Sequence, residues 1–154
     1  MEAAATAASM IHGPGLNLTY GDVDGNIAWW TCAKIQDRNP GINSKLILDG
    51  TNKSHEPNGY YPFDKNPRSI NPPWGFVYSA NDQPGPIDSV FIPGYYKPNH
   101  RADQIKLLIH TRKDWTLEKM KDMITNVDSP IDAALYGEIC SISQVTDLPN
   151  WNGE

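Results

Sequence analysis

The chain has 154 residues and a formal net charge of −5 spread without long runs, a length that suits one domain burying roughly two-thirds of its unfolded surface. That charge leaves no electrostatic footprint for DNA or RNA, and no cationic helix marks a membrane surface. With no apolar stretch of about 18 residues and no basic-then-apolar leader, the sequence is expected neither to span a membrane nor to carry its own export signal.

In chain order, Glu2 to Ile11 has high helix propensity, and Gly13-Pro14-Gly15 supplies the stop, which predicts one short helix. Met1 followed by Glu2 offers no free N-terminal Ser, Thr or Cys, so this end is expected not to unite a nucleophile with its own amine base. From Leu16 the pattern changes to period two. Leu16, Leu18 and Tyr20 share a face, and after Asp24-Gly25-Asn26 the residues Ile27, Trp29 and Thr31 alternate with Ala28, Trp30 and Cys32. Asp-Gly between two such runs predicts a hairpin, since both turn residues tolerate positive φ. Asp22 and Asp24 resemble the start of a calcium loop, but an EF-hand needs more oxygen ligands and a Glu at its twelfth position, where Lys34 and Ile35 lie. The turn reading is preferred.

Between Gln36 and Arg68 the chain is rich in Asn, Pro, Gly and charge, which predicts ordered loop around one brief strand at Leu46-Ile47-Leu48, packed by Tyr60, Tyr61 and Phe63. His55 beside Glu56 reads as solvated loop rather than a metal or acid/base pair. Cys32 and Cys140 match no zinc or thioredoxin spacing and read as two buried thiols in preference to a disulfide.

Phe76 to Ala80 reads as a short buried strand, and Asn81 follows where Asp82, Pro84, Gly85 and Pro86 forbid further pairing. A side-chain amide at a strand end meets the geometric demand of an oxyanion hole, although on composition alone such an Asn is an ordinary turn residue. Pro98-Asn99 then signals a helix start, with Asn99 able to cap and Ile105, Leu108 and Ile109 on one face. Arg101 falls in its first turn, against the helix dipole, which suits either a specific partner or function, or a structural ion pair. A second helix follows Trp115-Thr116, with Met120, Met123, Ile124 and Val127 as core filler. Ser129-Pro130-Ile131-Asp132 opens a third whose Leu135, Ile139 and Ile142 are expected to face inward. The tail 147–154 shows no element.

Three blocks, Tyr20 to Trp30, Gly59 to Pro67 and Asn71 to Arg101, occur in an order and spacing that resemble the middle of the β-chain of the penicillin acylase family of N-terminal-nucleophile hydrolases. The likeness extends to about Arg112. It implies an α+β chain that is a segment of an αββα sandwich. Residues 1–98 would be an N-terminal helix, a hairpin and further strands and loops, and 99–145 would be mainly helical. It further implies that Asn81 gives the side-chain part of an oxyanion hole and that Arg101 is a charge partner near the nucleophile. The family's nucleophile, a serine opening the mature β-chain, has no match here, so the chain alone is expected to be inert. The parent would hydrolyse N-acyl amides such as β-lactam side-chain amides or acylated homoserine lactones. Its partners would be the remaining α- and β-chain polypeptide, with no nucleic acid or membrane. A bacterial periplasmic or secreted location is implied. Calcium is bound in some relatives, yet this stretch offers no matching ligand set and no cofactor is expected. Exposed strand edges and apolar faces also favour self-association. The alternative is a non-catalytic module with Trp29, Trp30, Trp74, Tyr95 and Tyr96 as stacking platforms for sugars or peptides.

Overall fold

A computed structural model describes residues 1–85, 92 and 94–143. Contacts divide the chain into two compact units, Met1–Lys97 and Pro98–Glu154. The first opens with helix α1 (Glu2–Ser9), which leads into strands β1 (Leu16–Gly21) and β2 (Ile27–Cys32), and three short strands follow: β3 (Gln36–Asp37), β4 (Gly59–Tyr60) and β5 (Arg68–Ile70). Sheet order is β1-β2-β5, all antiparallel, while β3 and β4 form a separate pair.

Period two in β1 and β2 becomes a two-faced sheet. The register sets Leu16 opposite Cys32, Leu18 opposite Trp30 and Tyr20 opposite Ala28. On that face Ala28, Trp30 and Cys32 are fully buried with Ala8 of α1, and Ala4, Ala5, Ile11 and Phe63 pack around them. Small residues on the buried side of α1 let its backbone approach the sheet, so a core this slight still closes over an indole. Tyr20 meets the Trp30 ring edge-on, centroids 6.2 Å apart.

The hairpin forms as expected, around a loop longer than two residues. Strand pairing ends at Gly21 and Ile27, leaving five residues in the loop, and only Gly25 among them has positive φ, 84°. The Asp22 carboxylate decides this: it accepts from the backbone N–H of Asp24 (3.1 Å) and of Asn26 (2.8 Å), an Asx-type closure that a two-residue turn at Asp24-Gly25 would forfeit. Leu46 to Leu48 is not a strand. Asn43 and Asp49 on either side fold their side chains onto the N–H groups of Lys45 and Thr51, and Ile47 stands fully exposed. Nor do the aromatics of that region pack together as a set. Phe63 joins the hairpin core, whereas Tyr60 is exposed beneath the Lys34 ammonium.

Segment 76–80 is irregular rather than a strand, although Ala80 at its end is buried as expected. Its tie to the sheet is through side chains, Asn17 Nδ2 donating to Ser79 Oγ at 2.7 Å.

The second unit holds α2 (His100–His110), α3 (Leu117–Ile124) and α4 (Pro130–Ser143). Asn99 sits at the start of α2 but makes no side-chain cap bond. Thr116 does cap α3, accepting from the Lys119 N–H. Ser129 Oγ meets the Asp132 carboxylate at the start of α4. Within α2, Ala102 is buried and Ile105, Leu108 and Ile109 are half-buried. The inward assignment fails for the other two helices. Ile124, Val127, Leu135, Ile139 and Ile142 are all more than half exposed, because these apolar stripes lie on helix faces that nothing in the described residues covers. The tail 147–154 lies outside the described residues.

Candidate functional site

The face of the β1–β2 hairpin turned away from the core floors a cleft. Asn17, Trp29 and Thr31 supply the sheet side, and Trp74, Phe76, Tyr78, Tyr95 and Tyr96 supply the walls of a space of about 610 Å³. The same alternation that buries Trp30 therefore delivers Trp29 to the cleft. Trp30, 1% exposed, is core and offers no stacking surface. The Tyr95 hydroxyl donates to Lys45 O at 2.5 Å, and the Lys45 ammonium stands 5.7 Å over its ring, which ties this wall to the 43–52 loop. Tyr96 donates to Ile92 O at 3.0 Å, and burial pushes its phenol pKa up.

Asn81 lines this cleft. It has left-handed backbone geometry, φ 61°, one of two described non-glycine residues at positive φ. Asn tolerates that region better than other side chains, yet it still costs about 1 kcal/mol and persists only where the surroundings impose it. Two bonds bracket the residue: Lys97 N–H donates to Asn81 O at 2.8 Å, and the Tyr78 hydroxyl donates to the Asp82 carboxylate at 3.2 Å.

Arg101 lies in the first turn of α2 in the second unit, where it lines a groove of about 680 Å³ with Leu107, Leu108, Ile124 and Ile131. Asn81 and Arg101 thus belong to different units.

Asp22, Tyr20 and His55 are tied into local structure. The Asp22 carboxyl is held below its usual pKa range chiefly by the Asn26 side-chain amide, which donates to both of its oxygens at 3.1 and 2.9 Å. Tyr20, donating to the same carboxylate at 3.0 Å, is raised chiefly by that bond. Asp22 is therefore consumed by its own turn, and no group of three His, Cys, Asp or Glu side chains converges among the described residues. His55 staples its loop: Nδ1 accepts from the Asp49 N–H at 3.0 Å. Cys32 is buried and Cys140 half-buried, neither is in a disulfide, and burial pushes the Cys32 thiol up.

Against known families, the penicillin amidase family model matches residues 1–154, the whole chain. The chain belongs to the penicillin amidase family. Among curated relatives it is 34% identical over 93 residues to the penicillin acylase 2 proenzyme of Pseudomonas sp. (strain SE83), covering 58% of this chain and 12% of that protein. It is 35% identical over 69 residues to the penicillin G acylase of Escherichia coli, covering 45% of this chain and 8% of that protein. The chain thus spans about a tenth of the length of the curated relatives it matches. In fold it is similar to the thermostable penicillin G acylase from Alcaligenes faecalis, TM-score 0.71 at 20% identity, over 97% of this chain and 27% of that one. The α+β architecture read from the sequence is the architecture of this family.

What sequence reasoning missed is the cleft itself and the Tyr78–Asp82 bridge beside Asn81. A signal for the first existed in β2, whose outer face carries Trp29 and Thr31 where a solvated face would carry charge. For the second there was none. An i,i+4 bond is a helical expectation, and this segment is not helical.

Proposed function

We propose that the cleft of the first unit forms part of the acyl-amide site of a penicillin amidase-type hydrolase and that Asn81 stabilises its oxyanion. The observation that carries this reading is an Asn in an imposed left-handed conformation on the wall of an aromatic cleft. A serine from polypeptide outside this chain attacks the carbonyl of an N-acyl amide, and the carbonyl oxygen becomes negative as the tetrahedral intermediate forms. The Asn81 Nδ2–H donates to that oxygen. One such donor commonly supplies about 3 kcal/mol of transition-state stabilisation. Arg101 acts on the electrostatics around the serine amine. Substrates of this class, β-lactam side-chain amides and acylated homoserine lactones, would lay their acyl group against the aromatic walls. The isolated chain, lacking the nucleophile, binds without turnover.

The test is Asn81→Gly in the full-length, processed protein that carries this chain. Glycine keeps positive φ without strain, so the fold is retained while the amide is removed, and kcat is expected to fall about 100-fold or more. Near-parental turnover rejects the role. A second reading draws on the same walls: Trp29, Trp74, Tyr95 and Tyr96 could stack on a sugar. Titration with a glycan panel decides it, since a binding module shows tryptophan quenching that saturates and a flat response removes it.

A further inference from the structure

We infer that Tyr78 and Asp82 are positioning residues that hold Asn81 in its left-handed conformation, an inference that rests on the oxyanion role given to Asn81 above. The Tyr78 hydroxyl donates to the Asp82 carboxylate at 3.2 Å across the three residues Ser79, Ala80 and Asn81. This bond closes a small ring of chain that contains the φ 61° residue, next in sequence to the Asp82 acceptor. Ala80, 1% exposed, anchors the middle of the ring. Ser79 is fixed to the sheet by Asn17 Nδ2 at 2.7 Å, and the Lys97 N–H seizes the Asn81 carbonyl from the other side at 2.8 Å. A residue at positive φ relaxes toward the right-handed region when its restraints are removed, and that relaxation swings the side chain to a new direction. The Tyr78–Asp82 bridge opposes that swing because its acceptor adjoins Asn81 in sequence, so the turn cannot relax without parting the two side chains. Both residues line the cleft, and the experiment must therefore separate positioning of Asn81 from direct contact with substrate.

The experiment is a cycle in the full-length, processed protein, scored by kcat and KM on one N-acyl amide substrate. Tyr78→Phe and Asp82→Ala are each expected to lower kcat about tenfold, the scale of one hydrogen bond to a charged group, with KM within about twofold of the parent. Asp82→Asn, which keeps an acceptor oxygen, should recover most of the turnover lost in Asp82→Ala. In an Asn81→Gly background Tyr78→Phe should do nothing further, because the group it positions is gone. A Tyr78→Phe loss that persists undiminished in the Asn81→Gly background, or one confined to KM, overturns the inference. If Asn81→Gly collapses kcat while Tyr78→Phe stays within about twofold of the parent, the positioning role falls and the oxyanion role survives. If Asn81→Gly itself retains turnover, both fall. Should Tyr78→Phe yield no folded protein, the same cycle is read from the two Asp82 variants.

Discussion

Asn71 and Asn81 share a backbone conformation, with φ 43° and 61°, and differ in what it is used for. Asn71 Oδ1 accepts from the Ile27 N–H at 2.9 Å and its Nδ2 donates to Asn26 Oδ1 at 2.9 Å, so its side chain is spent joining the hairpin turn to the end of β5. Asn71→Ala should therefore lower thermal stability by about 1–2 kcal/mol, from lost bonds and strain. In the parent enzyme kcat should be unchanged for that variant; a turnover loss as large as that of Asn81→Gly would erase the distinction between the two residues. Asp22 carries a pH signature of known sign. Its folded-state pKa is depressed, chiefly by Asn26, so its contribution is present above the unfolded value of about 3.9 and lost as pH falls through the folded value. Amide exchange across Gly21 to Ile27 should accelerate, relative to the intrinsic rate, over that acid window in the parent chain. In Asp22→Asn that acid step should be absent. An identical step in both would assign the effect to another group.

At the scale of elements, the parts legible in the sequence are those whose cause is local. Alternation over Leu16 to Cys32 was enough to set Trp29 and Trp30 on opposite faces of the hairpin, but which of the two faces is core took the packing of α1 to decide. Thr116 and the Ser129-Pro130 pair mark where α3 and α4 begin because capping is a matter of three residues. Thr116→Ala should cost α3 about 1 kcal/mol, read as lost helicity on thermal or denaturant titration, and an unchanged midpoint would deny the cap its role. Elements decided by distant neighbours were not legible. Phe76 to Ala80 has strand composition, but a strand needs a ladder, and what reaches it from β1 is the Asn17 side chain. Leu46 to Leu48 loses to Asx closures on both flanks, which a hydrophobic count does not weigh. The candidate site follows the same division. Asn81 was legible as a residue type at a break in the pattern, whereas the cleft beside it needed Trp29, Tyr78 and Tyr95 brought together from three stretches of chain.

At the scale of the whole molecule, the balance of buried and exposed apolar surface sets an expectation for behaviour in solution. The first unit buries an indole and a thiol under one short helix. The second buries a single alanine, Ala102, among the described residues and leaves Leu107, Leu117, Ile124, Leu135, Ile139 and Ile142 each more than half exposed. Apolar side chains left in water on the helices of one unit favour association, which stabilises by about 25 cal/mol per Å² of apolar surface buried. The curated relatives are some tenfold longer than the stretch they share with this chain, so in them more polypeptide is at hand to meet such faces. Expressed by itself, the chain should therefore self-associate, and multi-angle light scattering should give a concentration-dependent mass above that of the monomer. Leu135→Glu combined with Ile139→Lys places charge on the exposed side of α4 at i,i+4, which preserves helicity through a favourable pair while ending its apolar character. That double variant should shift toward the monomer with far-ultraviolet circular dichroism unchanged. A parent chain that is monomeric at every concentration would mean that this surface is tolerated in water; a double variant that associates like its parent would move the contact to the hairpin edge of β1, whose outer backbone has no strand beside it among the described residues.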